Sequence, residues 1–494
     1  MDFVQIIERH AQVRPQQVAL HAAGEDITYA ELWQRIQRAT VVLLAASVRP
    51  GDRVAWIGFN APAMLVLMFA LMRVGGILLP LNYRLSGTEH EAILRHAGVR
   101  LLVTDTAHSA EATALAAKAD RSLLQANALA DDHTSLLPHI RTSNLTAPVL
   151  LVYTSGTSGQ PKGVLHSQTG LVWNCVIATH AQELTQDDHV LSVLPMFHVG
   201  GLCIQTLPAL HAGATVTLHP RFEAGAWLTD MAKRRPTLAL MVPATLRAVL
   251  EHPDFSKTDI SSLKLLVAGS STIPALMIAA MHARGIPVGQ VYGATETGPV
   301  SIYLRREEAM QRAGSAGKAG IHVDVQLVTA AGEIAATGEV GEVWVRGPNL
   351  LLGYWADPDN AAFADGWFHT GDLARRDETG FYEIVGRSRD MIISGGENIY
   401  PAELENVLAD CAEIVEAAVV GQPDARWGEV VVAVVVLANG AQLNAADVMQ
   451  LFESRLARYK HPKHIVFCKA LPKTALGKVQ KNGLLASIAA ITSQ

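Results

Sequence analysis

The sequence predicts an α/β protein, with a large N-terminal part of helix-covered sheets followed by a small α+β domain. Three observations carry this. Short apolar runs alternate with helical stretches through the first 300 or so residues. The texture changes after about residue 320, where strands are joined by Gly-rich turns. The last 105 or so residues hold their own strands and a polar helix.

The apolar runs are Arg53–Ile57, Arg100–Thr104, Leu191–Leu194, Thr215–Leu218 and Leu263–Ala268. Runs of this length, spaced by helices, point to parallel strands covered on both faces. Thr28-Tyr29-Ala30-Glu31 and Ser86-Gly87-Thr88-Glu89 read as capping boxes. In each, a hydroxyl meets a backbone N–H and the Glu reaches back. The run Ala61–Met72 reads as a buried helix leading into a strand, because twelve residues fall short of the roughly 20 that span a bilayer. Val323–Val328 and Gly341–Arg346 read as antiparallel strands. Val415–Val420, Val430–Leu437 and a helix near Asp447–Arg458 complete the small domain, whose boundary falls at Arg387–Asp390.

With 494 residues, 49% of them hydrophobic and 17% charged, the chain is globular and has room for more than one core. A net charge of −6 gives no general attraction to nucleic acid. The start lacks the basic, apolar pattern of a secretory signal. Cys175, Cys203, Cys411 and Cys468 lie far apart without a CxxC pair, which speaks against a zinc site or a disulfide framework and fits the cytoplasm.

The strongest chemical signal is Tyr153-Thr154-Ser155-Gly156-Thr157-Ser158-Gly159-Gln160-Pro161-Lys162-Gly163, fed by the apolar run Val149–Val152. Glycines let successive N–H groups face an anion, and the hydroxyls and Lys162 add donors suited to a polyphosphate. The Walker A pattern fails here, because Pro161 stands where its second Gly belongs and Gly163 where its Ser/Thr belongs.

This loop resembles the phosphate-binding signature of the adenylate-forming superfamily, which includes acyl-CoA synthetases, aryl-CoA ligases, luciferases and peptide-synthetase adenylation domains. Further stretches match in order: Pro195–His198, Tyr292–Thr297, Gly314–Lys318, Trp367–Asp372, Gly386–Asp390, Ser394–Pro401 and Pro472–Lys478. The resemblance covers nearly the whole chain. It implies an N-terminal AMP-binding domain over 1–388, with a distorted β-barrel subdomain over about 315–388, and a mobile C-terminal domain over 389–494. The implied activity is an ATP-dependent acid–thiol ligase, which forms an acyl-adenylate and then passes the acyl group to coenzyme A.

The same resemblance assigns roles. Thr154 and Glu296 hold Mg²⁺, a hard cation that accepts one carboxylate together with ATP phosphates. Ser155, Gly156, Thr157, Ser158, Gly159 and Lys162 cradle phosphates. The Gly269-Ser270-Ser271 turn and Tyr292 edge the adenine, although the family often carries Gly-Gly-Ala at the turn, and Gly293, Ala294 and Thr295 also belong to the nucleotide site. Asp372 takes the ribose diol and Arg387 adds charge-assisted bonds, while an ion pair of Arg387 with the nearby Asp390 is the plain structural alternative. Trp173, His198, Val199, Gly200, Gly293 and Thr297 line the acyl pocket. Arg389 occupies the hinge position, where the family has Asp or Lys. Ser394, Gly395, Gly396 and Glu397 border the CoA channel.

Lys478 is the expected catalytic lysine. At about 4 Å it would supply roughly 4 kcal/mol to a charged transition state at an effective dielectric near 20. From Arg455 to Lys481 the chain carries Arg455, Arg458, Lys460, Lys463, Lys469, Lys473, Lys478 and Lys481 and no acidic residue, an excess that suggests an anionic partner.

The segments Trp173-Asn174, His198–Leu202, Met241–Ala244, Gly269–Ser271 and Tyr292–Pro299 are small or apolar. They favour an acid with an apolar tail: a medium- or long-chain fatty acid first, an aromatic or hydroxycinnamic acid as the alternative. The expected partners are small molecules only (ATP, the acid and CoA), with a homodimer left open. A luciferase-like oxidative enzyme, a non-catalytic nucleotide binder and a P-loop NTPase are the competing readings. Glu296, Asp372 and Lys478, all present, weigh against the second, and the loop mismatch weighs against the third.

Overall fold

The computed structural model describes residues 2–130, 145–154, 162–269, 273–356, 363–394, 397–453, 455–473, 479–481 and 483–484. Contacts divide the chain into two compact units. The first comprises Met1–Ile273, Ala280–Val325 and Val345–Phe368, and the second Pro274–Ala279, Gln326–Trp344 and His369–Gln494. Much of the β-rich segment expected over 315–388 thus groups with the C-terminal residues.

Two sheets build the first unit. One orders its strands Gly353–Tyr354, Lys162–Ser167, Pro148–Thr154, Ile77–Pro80, Arg53–Ile57, Leu101–Thr104 and Ser122–Gln125. The last five are parallel, and the first two add antiparallel strands at one edge. The other is nine-stranded, with a parallel centre of Val288–Tyr292, Leu265–Gly269, Leu238–Met241, His189–Ser192, Thr215–Leu218 and Val18–Ala22. These central strands are short and largely apolar because helices cover both faces, so no solvent face demands alternation.

The helices follow local chemistry. Thr28 accepts from Glu31 N, and the Glu31 carboxylate accepts from Thr28 N at 2.7 Å, closing the expected capping box of helix Tyr29–Ala45. These bonds, with that of the Thr28 hydroxyl, hold Glu31 below the usual carboxylate range. Ser86 and Glu89 repeat the device for helix Gly87–Ala97. The apolar run forms helix Pro62–Val74, which ends at Gly75 with φ +74° and leads into strand Ile77–Pro80. Among the described residues no helix is long and apolar enough to cross a membrane.

Among the described residues the β-rich segment does not close into a barrel. Its sheet is open, with strands Asp324–Val328, Gly341–Arg346, Trp367–Arg376 and Phe363–Ala364 in that order, and Tyr382–Arg387 also paired with Trp367–Arg376. The ten-residue strand Trp367–Arg376 shares its length among these neighbours: its first two residues pair with Phe363–Ala364, and Asp372 onward pairs with Tyr382–Arg387.

The C-terminal sheet joins Glu397–Ile399, Ile392–Ser394, Gly428–Leu437 and Ile414–Asp424, with His464–Phe467 parallel to Gly428–Leu437. Helix Pro401–Ala409 packs Leu404, Val407 and Leu408 into a core with Val431, Ala433, Val435 and Phe452. The expected helix over 447–458 is shorter, Ala445–Gln450, capped by Asn444.

Candidate active site

The loop expected to cradle phosphates joins two described strands. Thr154 and Lys162 are cross-strand partners at the end of an antiparallel pair, so the strand ladder pins both ends of residues 155–161. Ser155, Gly156, Thr157, Ser158 and Gly159 lie outside the described residues. The Lys162 ammonium sits 4.9 Å from the ring centroid of Tyr354. Tyr354 is placed there because its two-residue strand pairs with Lys162–Ser167, Tyr354 opposite Val164.

The Tyr354 hydroxyl donates to Glu296 Oε1 at 2.9 Å. Glu296 stands on the 3₁₀ turn Thr295–Thr297. Several bonds fix that turn. Leu351 N donates to Glu296 O at 2.8 Å, Asn349 Nδ2 to Thr297 O at 2.6 Å, and Ala294 N to Thr297 Oγ1 at 2.9 Å. At Gly293 a Cβ would fall 1.8 Å from Pro299 O, so only glycine lets this backbone close. Beside the turn, burial pushes the His166 imidazole down to about 4, against an opposing pull from the Thr295 backbone. Lys162, Tyr354 and Glu296 are thus brought together as one connected group. Among the described residues Glu296 Oε2 takes no partner, and a carboxylate oxygen of this kind suits Mg²⁺. Tyr292 and Gly269 end neighbouring parallel strands, Val288–Tyr292 and Leu265–Gly269, and Ser270 and Ser271 lie outside the described residues.

The segment after Pro195 turns sharply. A Cβ on Gly201 would meet Pro195 O at 2.3 Å. His198 is half-buried, its ring 4.7 Å from that of Phe197, which meets Tyr83 edge-on at 5.3 Å. Val199–Gly201 form a single helical turn, and Leu202–Thr206 a π-helix. Wide turns of this kind are uncommon and cluster at functional sites. Helix Gln168–Gln182 clamps its carbonyls: Asn174 Nδ2 donates to Cys203 O at 2.7 Å and Gln182 Nε2 to Ile204 O at 2.8 Å. Gln205 Nε2 donates to Gln182 Oε1 at 2.8 Å, and Thr206 Oγ1 to Gly201 O at 2.8 Å. Asn174 Oδ1 and Gln205 Oε1 are buried without a hydrogen bond. Each such acceptor costs about 1–3 kcal/mol. The neighbouring Trp173 goes elsewhere. It packs edge-on to His322 at 5.2 Å and lines a cavity of about 280 Å³ with Asp2, Leu145, Gln168, Val172 and Val176. Thr297 is buried and serves its own turn.

In the second unit Asp372 and Arg387 are cross-strand partners, with Arg387 Nε 2.8 Å from Asp372 Oδ1. Asp372 is buried at 8% exposure, so this guanidinium stabilises its charge from the strand beside it. The alternative pairing of Arg387 with Asp390 is not formed. Asp390 instead faces Arg389 at 3.5 Å, within the 3₁₀ turn Ser388–Asp390 that follows Arg387. Gly371 N donates to Glu342 Oε1 at 2.8 Å, and Thr370 Oγ1 to Val343 O at 2.7 Å, which fixes the Thr370-Gly371-Asp372 bend. Ser394 and Glu397 are register partners of a hairpin. Gly395, Gly396 and Lys478 lie outside the described residues.

The basic run is less available than its charge count suggests. Arg455 pairs with Asp410, Lys460 with Glu403, Lys463 with Asp424, Lys473 with Glu416 and Lys481 with Glu405. Five of its eight cations are thus matched by carboxylates from earlier in the same unit, as a solvated basic face would be.

Sequence reasoning missed Tyr354, Glu342 and Trp344. Glu342 accepts from both Gly371 N and Trp344 Nε1, and Trp344 stacks on His369 at 3.7 Å. The aromatic pair Tyr354-Trp355 after Gly353 was the available signal for the first. Glu342 carries no local signal, because its role depends on a strand pairing.

Comparison with known proteins agrees with this architecture. The family model "AMP-binding enzyme" matches residues 7–355, and "AMP-binding enzyme C-terminal domain" matches 403–478. An indoleacetate–CoA ligase of Aromatoleum aromaticum is 43% identical, over 98% of this chain and 97% of its own. A feruloyl-CoA synthase of Amycolatopsis sp is 41% identical, over 96% of each. The long-chain-fatty-acid–CoA ligase FadD13 of Mycobacterium tuberculosis is 32% identical, over 97% of each. Among solved structures, the anthranilate CoA ligase AuaEII in complex with anthranoyl-AMP gives a TM-score of 0.92 at 26% identity, covering 99% of this chain and 98% of that one. The o-succinylbenzoate CoA synthetase of Bacillus subtilis with ATP and magnesium gives 0.88 at 31%, covering 97% and 98%.

Proposed function

The chain belongs to the AMP-binding enzyme family, in its acyl-CoA synthetase branch, and from that premise we propose that it converts an aromatic carboxylic acid, ATP and CoA into an aryl-acyl-CoA, AMP and pyrophosphate. The observation that carries the choice of acid is the step in identity. Relatives named for indoleacetate and ferulate stand at 43% and 41%, the one named for long-chain fatty acids at 32%. The fatty acid, placed first on sequence grounds, therefore gives way to its alternative.

In this reading the acid carboxylate attacks the α-phosphorus of ATP, and pyrophosphate leaves. Thr154 and Glu296 would hold Mg²⁺, which when bound would offset the charge of the phosphates. Tyr354 orients Glu296 from behind, in the manner of an outer-shell partner. Asp372, held by Arg387, accepts from the ribose hydroxyls. Lys478 supplies positive charge to the α-phosphate as the adenylate forms. In the second step the CoA thiol attacks the acyl carbon and AMP leaves. We assign the change between steps to a swivel at Arg389 that withdraws Lys478 and brings Ser394–Glu397 to the pantetheine.

A panel of acids in a pyrophosphate-release assay with CoA tests the acid. Indole-3-acetate, ferulate and related aryl acids should give kcat/KM above that of any saturated fatty acid. A higher value for a medium- or long-chain fatty acid would reject the aromatic reading.

A further inference from the structure

A single buried amide ties together three loops at strand ends. Asn60 follows strand Arg53–Ile57 of the seven-stranded sheet. Its main chain is held in place, because Phe59 N donates to Asp105 Oδ2 at 2.8 Å and Asn60 N to Pro220 O at 3.2 Å. Asp105 itself follows strand Leu101–Thr104, the parallel neighbour of Arg53–Ile57. From this anchor the Asn60 side chain reaches two loops of the nine-stranded sheet. Nδ2 donates to Leu194 O at 2.9 Å and to His219 O at 3.1 Å, and Oδ1 accepts from Met196 N at 2.8 Å. Both amide hydrogens are thus taken by carbonyls, so the amide can face only one way. The residue is 7% exposed.

The loop that Asn60 grips leads to His198. Leu194 and Met196 flank Pro195, whose carbonyl accepts from His198 N at 3.3 Å. Among the described residues Met196 N has no other partner. A second route runs through Phe59, whose ring lies 5.0 Å from that of Tyr83, and Tyr83 in turn meets Phe197 at 5.3 Å. Residues 59 and 60 therefore hold the bend before His198 both by packing and by hydrogen bonds. The seven-stranded sheet that anchors them also carries Pro148–Thr154 and Lys162–Ser167, the strands on either side of the loop expected to cradle phosphates. His198 belongs instead to the loop after His189–Ser192 of the nine-stranded sheet. Attack of a carboxylate on phosphorus needs the two sheets in a fixed relation, because the reacting atoms must be held about 3–3.5 Å apart.

We propose that Asn60 is a positioning residue for adenylation: its amide fixes the His198 loop against the sheet that bears the phosphate loop, and so aligns the acid carboxylate with the α-phosphorus of ATP. The role rests on the reading that places His198 in the acid pocket. Without the amide, main-chain groups of the buried residues Leu194, Met196 and His219 lose a partner, and the Pro195–His198 segment shifts to find others. Asn60 acts through this loop and touches neither the acid nor the nucleotide.

Pyrophosphate release by Asn60→Ala, His198→Ala and the double variant tests the role. Asn60→Ala should lower kcat/KM for the acid by about 10²-fold while KM for ATP stays within about threefold. In the His198→Ala background the same change should cost less than about threefold, because the residue through which Asn60 acts is already gone. A merely structural amide would give losses that multiply, and would raise KM for ATP together with that for the acid. Either result in folded protein overturns the proposal, as does an Asn60→Ala enzyme that matches the unmodified one. If Asn60→Ala does not fold, Asn60→Ser, which keeps a hydroxyl donor, carries the same cycle. Failure of both to fold also overturns the proposal, since the amide would then serve the fold as a whole. His198→Ala without effect on any acid sinks the placement of His198 and the role of Asn60 with it. A His198→Ala loss that multiplies with that of Asn60→Ala spares the placement and sinks the positioning role alone.

Discussion

The turn bearing Glu296 and the π-helix after His198 solve opposite problems with similar means. Around Glu296, backbone and side-chain bonds fix a carboxylate against one tyrosine and leave one charged oxygen open. Around the π-helix, amides fix a distorted helix and leave two neutral oxygens open. A charged oxygen suits a cation and the phosphates it accompanies. In the proposed reading the Glu296 turn serves what every such reaction shares.

Lys478→Ala should cut adenylation by about 10²–10³, while thioester formation from ready-made acyl-AMP changes little. Equal loss in the two half-reactions, measured by pyrophosphate release and by acyl-CoA formation, would reject separate roles for the lysine. Asp372→Asn keeps the shape and removes the charge that Arg387 holds, so KM for ATP should rise by about 10–10² while the choice of acid stays the same. Tyr354→Phe removes one hydroxyl behind Glu296 and should raise the magnesium concentration needed for half-maximal rate by about 10-fold. An unmoved magnesium titration would separate Tyr354 from the metal. The smallest effect lies outside both regions. Thr28→Ala should lower stability by about 1 kcal/mol in a denaturant titration, with kcat/KM unchanged.

Legibility in the sequence followed the range of the interactions. The capping boxes at Thr28 and Ser86 and the strands Arg53–Ile57, Thr215–Leu218 and Gly341–Arg346 depend on neighbours a few residues away, and the structure carries them as read, while the helix expected over Ala61–Met72 runs from Pro62 to Val74. Tyr354 escaped notice because it reaches Glu296 across a separation of 58 residues through a two-residue strand. The π-helix was invisible because Leu202–Thr206 reads as an ordinary stretch of helix, and periodicity does not register one extra residue per turn. The basic run was read as charge seeking a ligand, because its matching carboxylates, from Glu403 to Asp424, come from a different stretch of chain. The barrel came from resemblance, and the pairing of Trp367–Arg376 opened it into a sheet.

The crowding at Gly293 and Gly201 has a practical bearing on efforts to retarget the enzyme. Their missing side chains leave no slack, because a methyl group at either position would collide with a main-chain carbonyl that cannot rotate aside. Randomising them would empty a mutant library of folded members without broadening what the survivors accept.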